Sequence, residues 1–162
     1  MAKYVILSNG CRMPNYSTRV AVGAPTVLAY AVVNSLNQGG FNVALEAFGG
    51  WCGGTAGAVL PDIFDPPDHP GHRAMGHGIV PVGAASLFWA GNLGSWQESL
   101  RRSADQHHVQ QVWAQNPLVA LGHVLAEWFF RFLAGFVAGF GAGYISHIIP
   151  DFGAPRCVPF VA

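Results

Sequence analysis

Four long apolar blocks, separated by short polar breaks, set the outline of this chain: residues 20–36, 41–59, 74–93 and 118–149. Each is too long and too continuously apolar for a strand, and the spacing predicts helices. The first block, 17 residues, sits at the lower limit for a helix that spans a bilayer. The second is interrupted by Gly49, Gly50, Gly53, Gly54 and Gly57, and is expected to run as a helix into Pro61. Along the fourth, Gly135, Gly139 and Gly143 recur every four residues, a pattern that lets helix backbones approach closely in lipid or in a dry bundle. Residues 1–18 open with a short YVIL run and continue as SNGCRMPNYST, which reads as an N-terminal arm whose last residues cap the following helix. Residues 94–117 are the polar exception. They carry Glu98, Arg101, Arg102, Asp105, His107 and His108, with Trp96, Leu100, Ala104, Val109, Val112 and Trp113 roughly on one helical face, the pattern of an amphipathic surface connector. The expected fold is one all-α domain over residues 1–162, a compact bundle of about four to six helices embedded in or associated with a membrane.

Composition strengthens the membrane expectation. The chain is 51% hydrophobic with 21 glycines, and only 10% of its residues are charged, against about 25% in soluble domains. A soluble bundle with histidines in its core fits poorly, because ionisable groups are costly to bury without partners. Eight cationic and eight acidic side chains cancel, so no net field recruits nucleic acid. Cys11, Cys52 and Cys157 form no CxxC pair, which excludes a thiolate zinc knuckle and gives no disulfide framework. Lys3 and Arg12 precede no apolar core with a small-residue cleavage site, so no secretory signal is expected.

Against this apolar background, residues 60–77, LPDIFDPPDHPGHRAMGH, concentrate the chemistry. Asp62 and Asp65 stand three apart, His72 and His77 five apart, and Arg73 adjoins the first histidine. Pro66, Pro67, Pro70 and Gly71 between them forbid a regular helix, so the carboxylates end one element and the imidazoles begin the next. Carboxylate oxygen with imidazole nitrogen suits zinc or a similar first-row ion. Asp65 and Asp68 are also ordinary turn and cap residues before a helix, and His69 carries little weight as a ligand. Two further pairs stand four apart, the spacing that puts side chains on one helix face: His147 with Asp151, and His123 with Glu127. Glu127 is itself four residues before Arg131, so a salt-bridged Glu127 beside a buried His123 is the competing reading for that pair.

LPDIFDPPDHPGHRAMGH followed by an apolar helix, and AGYISHIIPDFGAP near the C-terminus, resemble the family of predicted membrane-bound metal-dependent hydrolases. The resemblance covers about residues 57–78 and 135–160. It implies metal-site roles for Asp62, Asp65, His72, His77, His147 and Asp151, with Arg73 as the motif's arginine. It also implies a bacterial-type inner-membrane location. Gly78 and Pro150 stand where that pattern carries other residues. Paired His-x-x-x-carboxylate motifs are more distantly similar to zinc-dependent phospholipase C and its single-strand nuclease relatives, a likeness that implies ligand roles for His123 and Glu127.

The expected function is therefore a membrane-associated hydrolase, of phosphoesters, that uses a zinc-activated or manganese-activated water. Asp65 is the candidate general base and Arg73 the candidate phosphate partner. The expected substrate is a small-molecule or lipid phosphoester, and the expected surroundings are membrane lipid. The rival expectation is a non-enzymatic membrane protein in which a structural or regulatory metal site supports binding to a protein partner.

Overall fold

The computed structural model describes residues 4–6, 12–14, 39–64 and 79–152. Three helices make the fold: α1 over Gly40–Phe64, α2 over Ile79–Trp113 and α3 over Pro117–Phe152. Ahead of them, β1 (Tyr4–Ile6) and β2 (Arg12–Pro14) pair antiparallel with Val5 opposite Met13, so part of the expected arm is a short hairpin. The all-α class holds for the bundle, with three helices among the described residues; the apolar block 20–36 lies outside them.

The boundaries follow local chemistry. The α3 start is fixed by Asn116, whose side-chain oxygen accepts from the Leu118 amide at 2.8 Å and whose carbonyl accepts from Ala120 at 2.9 Å. Pro117, which has no amide hydrogen to leave unpaired, occupies the first helical position. The predicted break at residue 94 does not occur. α2 is one helix of 35 residues, so residues 94–113 continue the apolar block before them instead of forming a separate connector. An interior glycine costs about 1 kcal/mol, too little for Gly91 and Gly94 to interrupt a helix that packs along its length. Likewise α1 and α3 run through Pro61 and Pro150, each within three residues of its helix end. There a proline removes one hydrogen bond without a following helix to disrupt.

Packing is organised around α3. It is antiparallel to α2, with which it forms a hairpin closed at residues 114–116, and parallel to α1. On the α1 side the contact is backbone on backbone. A methyl group placed on Gly49, Gly53 or Gly57 would overlap the carbonyl oxygens of Phe132, Phe136 and Phe140 in turn. Reciprocally, one placed on Gly135, Gly139 or Gly143 would overlap the carbonyls of Glu46, Gly50 and Gly54. The expected GxxxGxxxG contact is thus formed, and it is met by a second glycine row on α1. Such proximity allows dispersion contact and Cα–H···O interactions along the whole crossing. On the α2 side, Gly141 admits the indole of Trp89, which packs edge-on to Trp96 with centroids 5.4 Å apart and tilted against Phe140 at 5.3 Å.

The interior and exterior are exchanged relative to a water-soluble bundle. Among the described residues the buried hydrophobic side chains are alanines only: Ala47, Ala58, Ala104, Ala134 and Ala138. The buried polar ones are Glu46, Gln97, Glu127 and Arg131. Phe41, Phe48, Trp51, Leu87, Phe88 and Phe129 are exposed, and Leu118 is 78% exposed. Large apolar side chains lie on the outside, and small or polar groups face other helices. One segment among the described residues, Pro117–Ser146, is long and apolar enough to cross a membrane.

Replacing Gly53 or Gly139 by Ala is expected to force α1 and α3 apart and to cost ~1–3 kcal/mol, the range for overpacking. Gly91→Ala, which meets open space, should be neutral or stabilising by up to ~1 kcal/mol. Thermal unfolding of the detergent-solubilised protein checks both; equal effects at the three positions would refute the backbone contact.

Candidate functional site

The helix ends that carry Asp62 and Asp151 lie at one end of the bundle. Gly135, Gly139 and Gly143 lie against the carbonyls of residues 46, 50 and 54, an offset of 89, and Gly49, Gly53 and Gly57 against those of 132, 136 and 140, an offset of 83, so facing positions on the parallel helices differ by about 86. Continued to the helix ends, that relation leaves Asp62 and Asp151 within about one helical turn of each other in height. Both helices thus carry an apolar residue followed by Pro-Asp in the last turn at the same end of the bundle. His147 is one turn below Asp151 on α3. The antiparallel α2 reaches the same level, because Trp89 packs on Gly141 and Ile79 begins ten residues earlier. The connection from α1 to α2 therefore starts and ends at this face of the bundle. Asp65, His72, Arg73 and His77, like Asp68 and His69, belong to that connection and lie outside the described residues.

His123 and Glu127 belong elsewhere. They precede His147 on α3 by 24 and 20 residues, about 36 and 30 Å of helix, so they sit near the α2–α3 turn. Each engages α2 separately. Nδ1 of His123 lies 2.9 Å from Nδ1 of His107, and Oε2 of Glu127 lies 3.0 Å from Nδ1 of His108. The buried Glu127 carboxylate accepts from the exposed His108 ring, and Gln111 Nε2 stands 3.1 Å from the same nitrogen. His107 and His108, adjacent in sequence, thus reach two residues of α3 one turn apart. Among the described residues no group of three or more His, Cys, Asp and Glu side chains is arranged to hold a metal ion.

Between the two ends lies a layer of ion pairs that joins all three helices. Arg101 of α2 grips Glu46 of α1 with both arms of its fork, Nε to Oε1 at 3.0 Å and Nη2 to Oε2 at 2.6 Å. The Glu46 side chain is 1% exposed and that of Arg101 18%. One turn further along α2, Asp105 accepts from Arg131 of α3, a short contact in which the arginine is the buried partner. Gln97, a turn earlier, donates to the Ala134 carbonyl at 3.1 Å. These residues occupy the inward face of α2 together with Ala104. The apolar face read on this stretch is split: Ala104 is buried and Trp96 and Leu100 are half-buried, whereas Val112 and Trp113 are exposed, at 71% and 79%. The charges divide as well, Arg101 reaching α1 while Glu98 and Arg102 pair with each other on the exposed side.

Sequence reasoning did not single out Glu46, although a signal was there. It is the one charged residue in the block 41–59, and an isolated acid in so apolar a helix requires a cationic partner. Comparison with known proteins gives no matching family model, no matching curated protein and no matching solved structure.

Arg101→Met removes both arms of the fork from the buried Glu46 carboxylate and is expected to destabilise the fold by ~3–5 kcal/mol; Glu46→Gln combined with Arg101→Met should recover much of that loss. A double-mutant cycle on unfolding free energies checks this, and strictly additive effects would show that the pair is not coupled.

Proposed function

We propose that this chain is a membrane-embedded helical bundle that hydrolyses phosphoesters at the end where α1 and α3 finish and α2 begins. The observation that carries this reading is that Asp62 and Asp151, 89 positions apart in sequence, come within about one helical turn of each other in height on two helices held parallel by glycine contacts. Chance gives little reason for two motifs with carboxylates and imidazoles to meet at one end of a chain that is only 10% charged. The exchange of interior and exterior supports the membrane part, since exposed aromatic and aliphatic side chains are at home against lipid. The exposed bulk runs along all three helices.

The donor set fits a divalent ion. Asp62 and Asp151 offer carboxylate oxygens and His72, His77 and His147 imidazole nitrogens, a mixture suited to zinc and also to manganese. The chemistry such an ion supplies when bound is a lowered pKa for its water and polarisation of the phosphoryl oxygen. In this reading Asp65 takes the proton from the attacking water, and Arg73 binds the phosphate oxygens through its planar fork and orients the ester. A bilayer around the shafts of the helices leaves their ends at headgroup depth, where lipid and small soluble phosphoesters are both within reach.

The exposed row Leu118, Leu121, Leu125, Trp128 and Phe129 on the α3 half near the turn favours a second reading, a non-enzymatic membrane protein whose metal site is structural or regulatory and which binds a protein partner. The two readings separate on activity. Purified protein is expected to retain near-stoichiometric zinc or manganese by elemental analysis and to cleave bis(p-nitrophenyl) phosphate. Asp62→Ala and Asp151→Ala should each lose metal and at least ~100-fold of the rate while still folded by circular dichroism. Metal retained by both variants would overturn the shared site, and stoichiometric metal with no turnover on any phosphoester would favour the second reading.

A further inference from the structure

We infer that His107 and His123 form a separate two-imidazole clamp for a borderline divalent ion such as Zn2+, Ni2+ or Cu2+, which staples the α2–α3 hairpin near its turn. The two Nδ1 atoms are 2.9 Å apart and come from different helices. Two imidazole nitrogens each about 2.05 Å from one ion, and at right angles about it, are separated by ~2.9 Å, the cis edge of the tetragonal or octahedral sites of Cu2+ and Ni2+, whereas tetrahedral Zn2+ would draw them to ~3.3 Å. The rings are therefore spaced for chelation without movement of either helix. Their planes are tilted by 35° with centroids 5.2 Å apart, and the His107 ring is further held by Phe130, stacked at 5.5 Å and 11°. Both residues are half-buried, which limits their rotamers while leaving water access to complete the coordination. Glu127, one turn beyond His123, adds negative charge at the same end of the hairpin.

Without metal, the 2.9 Å contact is a hydrogen bond in which one ring donates its Nδ1 proton to the bare Nδ1 of the other. Binding requires both Nδ1 lone pairs. The donor ring changes tautomer, its proton moving to Nε2, so two neutral imidazoles take up the ion with no net release of protons. Since no third ligand side chain converges there among the described residues, water fills the remaining positions and the ion exchanges readily, unlike a closed four-ligand structural zinc. The site is about 36 Å along α3 from His147, and it does not rest on the hydrolase reading.

The test uses the full chain in detergent carrying Asp62→Ala and Asp151→Ala, so that the opposite end does not contribute, stripped with chelator and titrated with Zn2+ and Cu2+ at pH 7.5. One equivalent is expected to bind with a micromolar dissociation constant and to raise the unfolding temperature. His107→Ala and His123→Ala should each weaken binding at least tenfold and abolish that rise, and His108→Ala should change neither. Electron paramagnetic resonance of bound Cu2+ gives a readout independent of stability: splitting from two nitrogens in the parent, and from one in either single variant. Unchanged affinity in both histidine variants, or no saturable binding by the parent, would overturn the clamp.

Discussion

The approach of the α1 backbone to the α3 backbone is the contact on which the other features of this bundle depend. Glycine on one helix lies under a carbonyl on the other, six times over, in two interleaved rows. Such an interface gains nothing from the transfer of apolar bulk out of water; it gains from proximity, from many weak backbone contacts, and from having no side-chain rotamers to freeze at the crossing. Bulk is displaced outward as a consequence. Phe132, Phe136 and Phe140, whose carbonyls line the crossing, turn their rings into a ladder with centroid spacings of 6.1 and 6.3 Å alongside it.

Close packing also changes what charge does. With helices this near, a side chain between them has little access to water, and an unpaired Glu46 would be intolerable there. The two arms of Arg101 satisfy both its oxygens, and the Asp105–Arg131 pair repeats the solution a turn away with the burial reversed. Among the described residues the interior thus relies on paired polar groups and alanines where a water-soluble bundle relies on large apolar side chains. The connection from charge to architecture is direct: Arg101 bridges from α2 to α1, two helices whose main packing partner is in each case α3.

The parts of this fold legible in sequence were those written in local pattern. Helical class, the placement of the second and fourth apolar blocks and the glycine row on α3 could all be read from spacing. Continuity across Gly94 could not, because a glycine's local penalty is small beside packing along a 35-residue helix, and packing is not visible from one strip of sequence. The apolar face read on residues 96–113 is only partly inward, with Ala104 buried and Val109, Val112 and Trp113 exposed, because periodicity identifies a face but not how much of it a neighbouring helix covers. Of the motif residues, Asp62, His147 and Asp151 fall on described helices, and their place at one end of the bundle follows only from the α1–α3 offset, a relation between helices that no residue spacing encodes. The pairing of His107 with His123 was equally hidden, since two residues 16 apart meet only because the chain reverses at 114–116.

A comb of glycines at four-residue intervals has several nearly equivalent seatings. If α1 slid along α3 by one tooth, about 6 Å, most glycines would again lie beneath a carbonyl, and the backbone contact by itself would resist little. Glu46 is what makes one seating unique, since its carboxylate meets the Arg101 fork at a single notch and at any other would be stranded in an apolar groove. The ion pair acts as the pawl of a ratchet. Neutralising both partners would leave a bundle of similar strength that has lost its catch, with Asp62 and Asp151 free to fall one tooth out of step.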